Sequence, residues 1–324
     1  MKVAKTALAV AALLGMSSAA LADDAMTVYG KLNVTVQDSD EGQSETEVVS
    51  NASRFGVKGE LALSEELSAV YKIEWEVNVA DQDKGDSSDD QIKARNQYVG
   101  LKGNFGEVLV GRNDTLLKQS QGKIDLFNDL EADIKQLFGG ENRLGDSVTY
   151  KTPKFGMFQA GVSYITEDNS KQREKSEGDR TDGYSLALMY GDAKFKKSNL
   201  FASIAYDDDV AGLDTVRATV NGKIGDFILG GMYQQSEKSA GGKDEDGYLV
   251  NAAYKLGATT FKLQYQDTDM TFGKKKAAGD VISAGVDYKL GKSTKVFGFY
   301  STFSFEEAGK EDHDYLGLGI EHKF

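Results

Sequence analysis

The chain has 324 residues with 36 Gly, one Pro (Pro153), no Cys and a formal net charge of -13. That acid excess excludes nucleic-acid binding through counterion release, and the missing cysteines exclude disulfides and a lipid-modified cysteine behind a leader. A bundle of membrane helices is excluded as well: outside residues 7–22 no run approaches the about 20 apolar residues a spanning helix needs.

The first segment, MKVAKTALAVAALLGMSSAALA, sets Lys2 and Lys5 before an apolar core and ends in Ala20-Leu21-Ala22. This is the pattern of a secretory signal peptide cleaved after residue 22, with a short membrane anchor as the alternative. Cleavage would remove two lysines and no acids, making the net charge two units more negative.

From there on, apolar and polar side chains alternate with period 2, as in half-buried strands. Val28, Leu32, Val34 and Val36 share one face against Lys31, Asn33, Thr35 and Gln37. Tyr71, Ile73, Trp75, Val77 and Val79 oppose Lys72, Glu74, Glu76 and Asn78. Phe261, Leu263 and Tyr265 oppose Thr260, Lys262, Gln264 and Gln266, and Leu316, Leu318, Ile320 and Phe324 oppose Tyr315, Glu321 and Lys323. Short connectors (64–67, 104–106, 154–156, 256–258, 290–293) take strict turns with longer polar ones (38–50, 80–90, 168–179, 238–246, 269–279, 305–312). Short turns on one side and long loops on the other mark an outer-membrane barrel, here of about sixteen strands of roughly 9–12 residues. Tyrosines and phenylalanines near strand ends (Tyr29, Tyr71, Tyr98, Tyr164, Tyr190, Tyr254, Phe324) fit the aromatic girdles of such barrels. A secreted β-sandwich is the alternative, but sixteen long strands are too many for one.

The rhythm stops once, in GRNDTLLKQSQGKIDLFNDLEADIKQLFGGENRLGDSVTY (111–150). A structureless stretch of this length inside a regular array is usually functional. The prediction is an all-β transmembrane antiparallel barrel over 23–324, with residues 114–142 folded into the lumen as a constriction.

Several runs resemble the general porins of the Gram-negative outer membrane: VYGKL (28–32), SRFGVKGE (53–60), YVGLKG (98–103), FGEV through GR (105–112), NR through SVTY (142–150) and the terminal Phe324. The resemblance spans the chain after residue 22 in order and spacing. It implies a homotrimer whose third loop narrows the pore, with loop 80–90 as the latch onto a neighbouring subunit. It also implies a barrel surrounded by outer-membrane lipid and lipopolysaccharide, with Phe324 as the signal read by the assembly machinery. Carried over by motif, the basic wall of the constriction would be Arg54, Arg95, Arg112 and Arg143; Lys58 and Lys72 share the lumen-facing parity of their strands and would extend it. Asp133 stands where the family has a loop acid, five residues before Phe138-Gly139-Gly140, but Leu137 stands where the family has a glutamate. Asp125, Asp129 and Glu131 are candidates to replace that charge.

No bond-making is implied, and no cofactor or metal. Opposed basic and acidic rows would set a transverse field across a narrow aqueous gap, passing small hydrophilic solutes and ions, and the net charge argues for a weak cation preference. The near match to a phosphate-binding loop at Gly285–Ser293 has five residues between its glycines instead of four. The acids of 81–90 lack the spacing of a calcium loop, and His313 and His322 have opposite strand parity. Four functions stay open: a diffusion channel, a channel selective for a sugar or an anion, an envelope adhesin using loops 38–50 and 168–179, and a barrel-embedded hydrolase, for which no histidine is well placed as a base.

Overall fold

The structure, a computed structural model, describes residues 26–80, 91–166 and 182–324. The expected signal peptide (1–22), the acidic stretch 81–90 and the loop 168–179 lie outside the described residues.

The strands are β1 (Thr27–Asp40), β2 (Ser44–Ser50), β3 (Arg54–Ala62), β4 (Leu67–Val77), β5 (Ile92–Gly103) and β6 (Gly106–Asp114). After the segment 115–142 come β7 (Arg143–Lys151), β8 (Phe158–Ile165), β9 (Gly183–Gly191), β10 (Leu200–Val210), β11 (Leu213–Ile224) and β12 (Phe227–Lys238). The last five are β13 (Glu245–Leu256), β14 (Thr259–Thr268), β15 (Gly279–Lys289), β16 (Thr294–Phe305) and β17 (His313–Lys323). Sequential neighbours pair antiparallel, and β1 closes on β17 from Lys31↔Lys323 to Asp40↔Asp314.

β2 and β3 both pair with β1 and are two halves of one strand, so the closed barrel has 16 strands. The break falls at residues 51–53, where Ala52 has a φ of 48°. Bonds across the break join it to β1: Ser53 Oγ accepts from the Asn33 amide at 2.9 Å and the Asn51 amide donates to the Asn33 carbonyl at 2.8 Å.

The sheet is inside out for a protein in water. Leu318 is 73 % exposed and Val36 56 %, whereas Gln264 is 1 % and Thr35 0 % exposed. An apolar band facing outward and a polar inner face are what a closed barrel needs in hydrocarbon.

The connectors depart from strict alternation in two places. β10 and β11 are joined on the long-loop side by Ala211 and Gly212 alone, at φ 56° and 79°. On the opposite side β9 and β10 are joined by residues 192–199, longer than the other turns there. The expected loop 38–50 is mostly strand, since β1 runs to Asp40 and β2 starts at Ser44. Its polar residues are hydrated strand ends rather than a loop, a distinction that composition cannot make.

Leu318 lies midway along β17, so Leu318→Arg is expected to weaken folding into lipid vesicles by about 2–4 kcal/mol, measured by urea titration.

Candidate functional site

The segment between β6 and β7 is held together largely by its own carboxylates. Thr115 Oγ1 accepts from the Lys118 amide at 3.3 Å and starts the short helix α1 (Leu116–Ser120). Asp133 caps the 3-10 turn Ile134–Gln136, accepting from the Lys135 amide at 3.0 Å and the Asp129 amide at 2.8 Å. Asp125 accepts from the amides of Phe127 (2.9 Å) and Ile134 (3.0 Å), tying together two stretches nine residues apart.

Its apolar side chains lie against the barrel's polar face. Ile124, Phe127, Ile134, Leu137 and Phe138 form one buried cluster with Met232, Leu249, Val281, Phe297, Phe299 and Phe303 of the wall. Leu116 and Leu117 of α1 pack on Ala187 of β9 and Ala205 of β10. Room comes from wall glycines: a Cβ at Gly161, Gly230 or Gly285 would run into Leu116, Ile124 or Phe127 respectively.

Wall amides satisfy the backbone between these contacts. Asn251 donates to the Ile124 carbonyl, Gln266 to Ala132 at 2.7 Å and Gln234 to Gly139 at 3.0 Å. Gln264 both donates to Asp125 (3.0 Å) and accepts from the Leu126 amide (2.8 Å). Arg217, fully buried, donates to Glu141 at 2.6 Å. Lys262 donates to the Leu126 carbonyl at 3.1 Å, with its Nζ 4.7 Å from the Phe127 ring centre.

The far end of the segment reaches β1 and β3. Asp129 bonds Lys31 at 2.6 Å and also Arg54, while Gln37 donates to Glu131 at 3.2 Å. Burial would raise the Asp129 carboxyl, but Arg54 and Lys31 outweigh it and hold the group well below the ordinary carboxylate range. Burial and then the neighbouring Asp133 push Asp125 the other way, up to about 7.

The charged residues of β3–β7 on the same face make their contacts along the wall. Between β4 and β5 the register jumps from Ile73↔Gln97 to Trp75↔Ala94, so Glu74 stands opposite both Arg95 and Asn96. This β-bulge turns two successive residues toward one face. Arg95 Nε bonds Glu74 at 3.0 Å and its Nη1 bonds Glu76 at 2.5 Å. Asn96 donates to Asp114 at 3.1 Å and accepts from Arg143 Nε at 2.9 Å, and Arg143 also pairs with Asp114 at 2.9 Å. Lys58 lies 5.1 Å from the ring centre of Tyr29, which stands on this inner face and not in the lipid-facing girdle expected of it. Arg112 Nε is buried without a hydrogen bond among the described residues.

The sequence-predicted residues therefore divide. Arg54 and Asp129 meet, as expected of wall and loop. Arg95 pairs with Glu74 and Glu76 of the wall, and Arg143 pairs with Asp114, the last residue of β6 and the first of the predicted segment 114–142; neither bonds directly to Asp125, Asp129, Glu131 or Asp133. Asp125 and Asp133 cap turns inside the segment, and Glu131 is fixed by Gln37. Leu137, where the resemblance led one to look for an acid, is 1 % exposed in the apolar cluster. Phe324 pairs through its backbone with Gly30, at 3.0 and 3.2 Å, and its ring covers that glycine.

Sequence reasoning missed Lys31, Arg217 and Glu141 as partners. The parity of Glu74 and Glu76 was visible, but their pairing with Arg95 depends on the bulge. The glycines carried a signal too, since a glycine inside a strand marks a close approach by something else.

A model of the family described as Gram-negative porin matches residues 7–308. The major outer membrane protein P.IB of Neisseria sicca is 27% identical over 99% of this chain and 90% of its own length. Among solved structures, an anion-selective porin from Comamonas acidovorans superposes with a TM-score of 0.75 at 24% identity, covering 93% of this chain and 100% of that one. Salmonella typhi OmpF in complex with daunomycin gives 0.73 at 15% identity, covering 93% and 98%.

Two outcomes are expected of the segment. Truncating its buried anchor, Phe127→Ala, should cost about 3–5 kcal/mol, read as a lower melting temperature together with larger and noisier single-channel conductance. The second is a pH dependence. A carboxyl raised in the folded state contributes stability that is present below its unfolded value of about 4 and lost as pH rises through its folded value. Asp129, depressed, has the opposite sign and matters only in strong acid. Hydrogen exchange at the Phe127 and Ile134 amides, corrected for intrinsic rate, should thus be faster at pH 8 than at pH 5, and in Asp125→Asn the difference should vanish.

Proposed function

Since this chain belongs to the Gram-negative porin family, a channel across the Gram-negative outer membrane is the premise, and we propose that it passes small hydrophilic solutes and ions by passive diffusion. The observation that carries this reading is the unequal use of the barrel's inner face. Among the described residues, segment 115–142 is hydrogen-bonded to the wall from β9 round to β1 and β3 and packs on β8 through Leu116, while Glu74, Glu76, Arg95 and Arg143 take their bonds from one another, from Asp114 and from neighbouring wall side chains. A water-filled passage bordered on one side by the segment and on the other by this charged wall follows, with residues 114–142 as its constriction.

Ions in such a passage respond to charges within a Debye length of about 8 Å, not to the charge of the whole chain. The weak cation preference argued from the net charge therefore competes with a second reading. Around Asp129 the basic side chains Lys31, Arg54, Lys58, Lys72, Arg95, Lys135 and Arg143 outnumber the acids Glu74, Glu76, Asp114, Asp129, Asp133 and Glu321 by a single charge. That local balance favours anions.

The same reading makes the barrel a homotrimer in the membrane, with its long-loop end among lipopolysaccharide and Phe324 offered to the assembly machinery. The exposed apolar band and the 59 % exposed terminal ring support it.

Purified protein in a planar bilayer should give stepwise openings in groups of three in symmetric KCl. In a KCl gradient the zero-current potential should carry the anion-favouring sign; a cation-favouring sign would return the preference to the net charge, and no openings from heat-modifiable protein would move the adhesin reading forward.

A further inference from the structure

Glu74 is a wall acid that touches side chains from three strands. Its carboxylate accepts from Tyr29 Oη of β1 at 2.8 Å and from Arg95 Nε of β5 at 3.0 Å, and lies 3.2 Å from Lys72 Nζ on its own strand β4. The residue is 4 % exposed. Local backbone features assemble the group. The β4–β5 bulge aims Arg95 at it, and Gly56 on the intervening strand β3 leaves the space through which Tyr29 reaches it, since a Cβ there would meet Tyr29 Oη at 2.9 Å. Lys58 and Lys72 flank the same ring, at 5.1 and 5.8 Å from its centre, a placement in which the ring's electrons attract both ammonium groups.

We propose that Glu74 is a specificity-determining residue of the passage: a counter-charge carried by the wall that neutralises Lys72 and, with Glu76, holds Arg95 against the strands. This rests on the diffusion-channel reading above. A carboxylate shared by three donors is fixed in place, so its field is permanent and does not relax as an ion passes. The acids of the segment do not take this role: Asp125 accepts from backbone amides and Gln264, Asp133 from backbone amides and from Lys135 of the segment itself, and Asp129 is closed by Lys31 and Arg54. The uncompensated positive charge on the wall is therefore set by Glu74, Glu76 and Asp114, and Glu74 is the one that neutralises Lys72 and shares Arg95 with Glu76.

Glu74→Gln keeps the shape and an acceptor for Tyr29 while removing the charge. It leaves Lys72 unpaired and Arg95 with Glu76 alone, which should raise the anion-to-cation permeability ratio about fivefold, for a unit charge about 7 Å from the ion path. The readout is the zero-current potential in a KCl gradient, with heat-modifiability on a gel as the check of folding. Glu74→Asp should stay close to the parent. Arg95→Gln should move the ratio toward cations, and the double variant Glu74→Gln/Arg95→Gln should return near the parent value, an outcome a purely structural role would not produce. If Glu74→Gln fails to fold, Arg95→Gln decides, and an unmoved potential in it overturns the assignment. A folded, conducting Glu74→Gln with an unmoved potential overturns it as well. A parent protein that folds and does not conduct would instead count against the channel reading itself.

Discussion

Hydrocarbon offers a backbone amide no water, so every strand must find partners on both sides, and the rest of this structure depends on that requirement. It is met by closing β1 on β17, with Gly30 and Phe324 making the last backbone bonds at the junction. Closure removes the sheet edge and separates two faces with opposite needs. The outer face carries the apolar side chains, which in a soluble protein would be the core. The inner face is left polar, and the work of the protein is done on it.

That inner face has two duties that conflict. It must be polar enough to hold water, yet it must also fix a segment rich in Leu, Ile and Phe. The conflict is resolved by dividing the circumference. On the β8–β17 side the wall supplies glycines to make room, Phe297, Phe299 and Phe303 to bury apolar area, and Asn and Gln side chains to satisfy the segment's carbonyls. On the β3–β7 side it keeps its charges. A side-chain amide suits the first duty because it both donates and accepts, and so can pair with a backbone that has left its own secondary structure.

Charge placement follows from the same division. Where the segment meets the wall at Asp129, two cations close on one carboxylate in a spot shielded from water. Such a pair holds only with several hydrogen bonds to offset desolvation, and Lys31 and Arg54 supply them. Among the described residues the direct partners of Arg95 are Glu74 and Glu76 of β4, and the acid paired with Arg143 is Asp114 at the end of β6. The bulge at Arg95–Asn96 makes this possible, since regular pleating would turn one of the two to the other face.

The sequence by itself determined the fold class and where the membrane strands run, because in a two-faced sheet the side-chain period is fixed at two and lipid on one side enforces it. Val28 to Gln37 and Phe261 to Gln266 can be assigned to faces with no structure at hand. It also determined that residues 114–142 break the pattern. The pairing of the charges was decided only by the tertiary structure. One bulge shifts Arg95 onto Glu74, one backbone break lets β2 and β3 share β1, and the capping demands of two turns take Asp125 and Asp133 out of the passage. Composition made residues 38–50 look like a loop, where hydrogen bonding to β1 makes them strand. Local pattern reports which face a residue is on; what it meets there depends on register, and register is set by contacts between residues far apart in the chain.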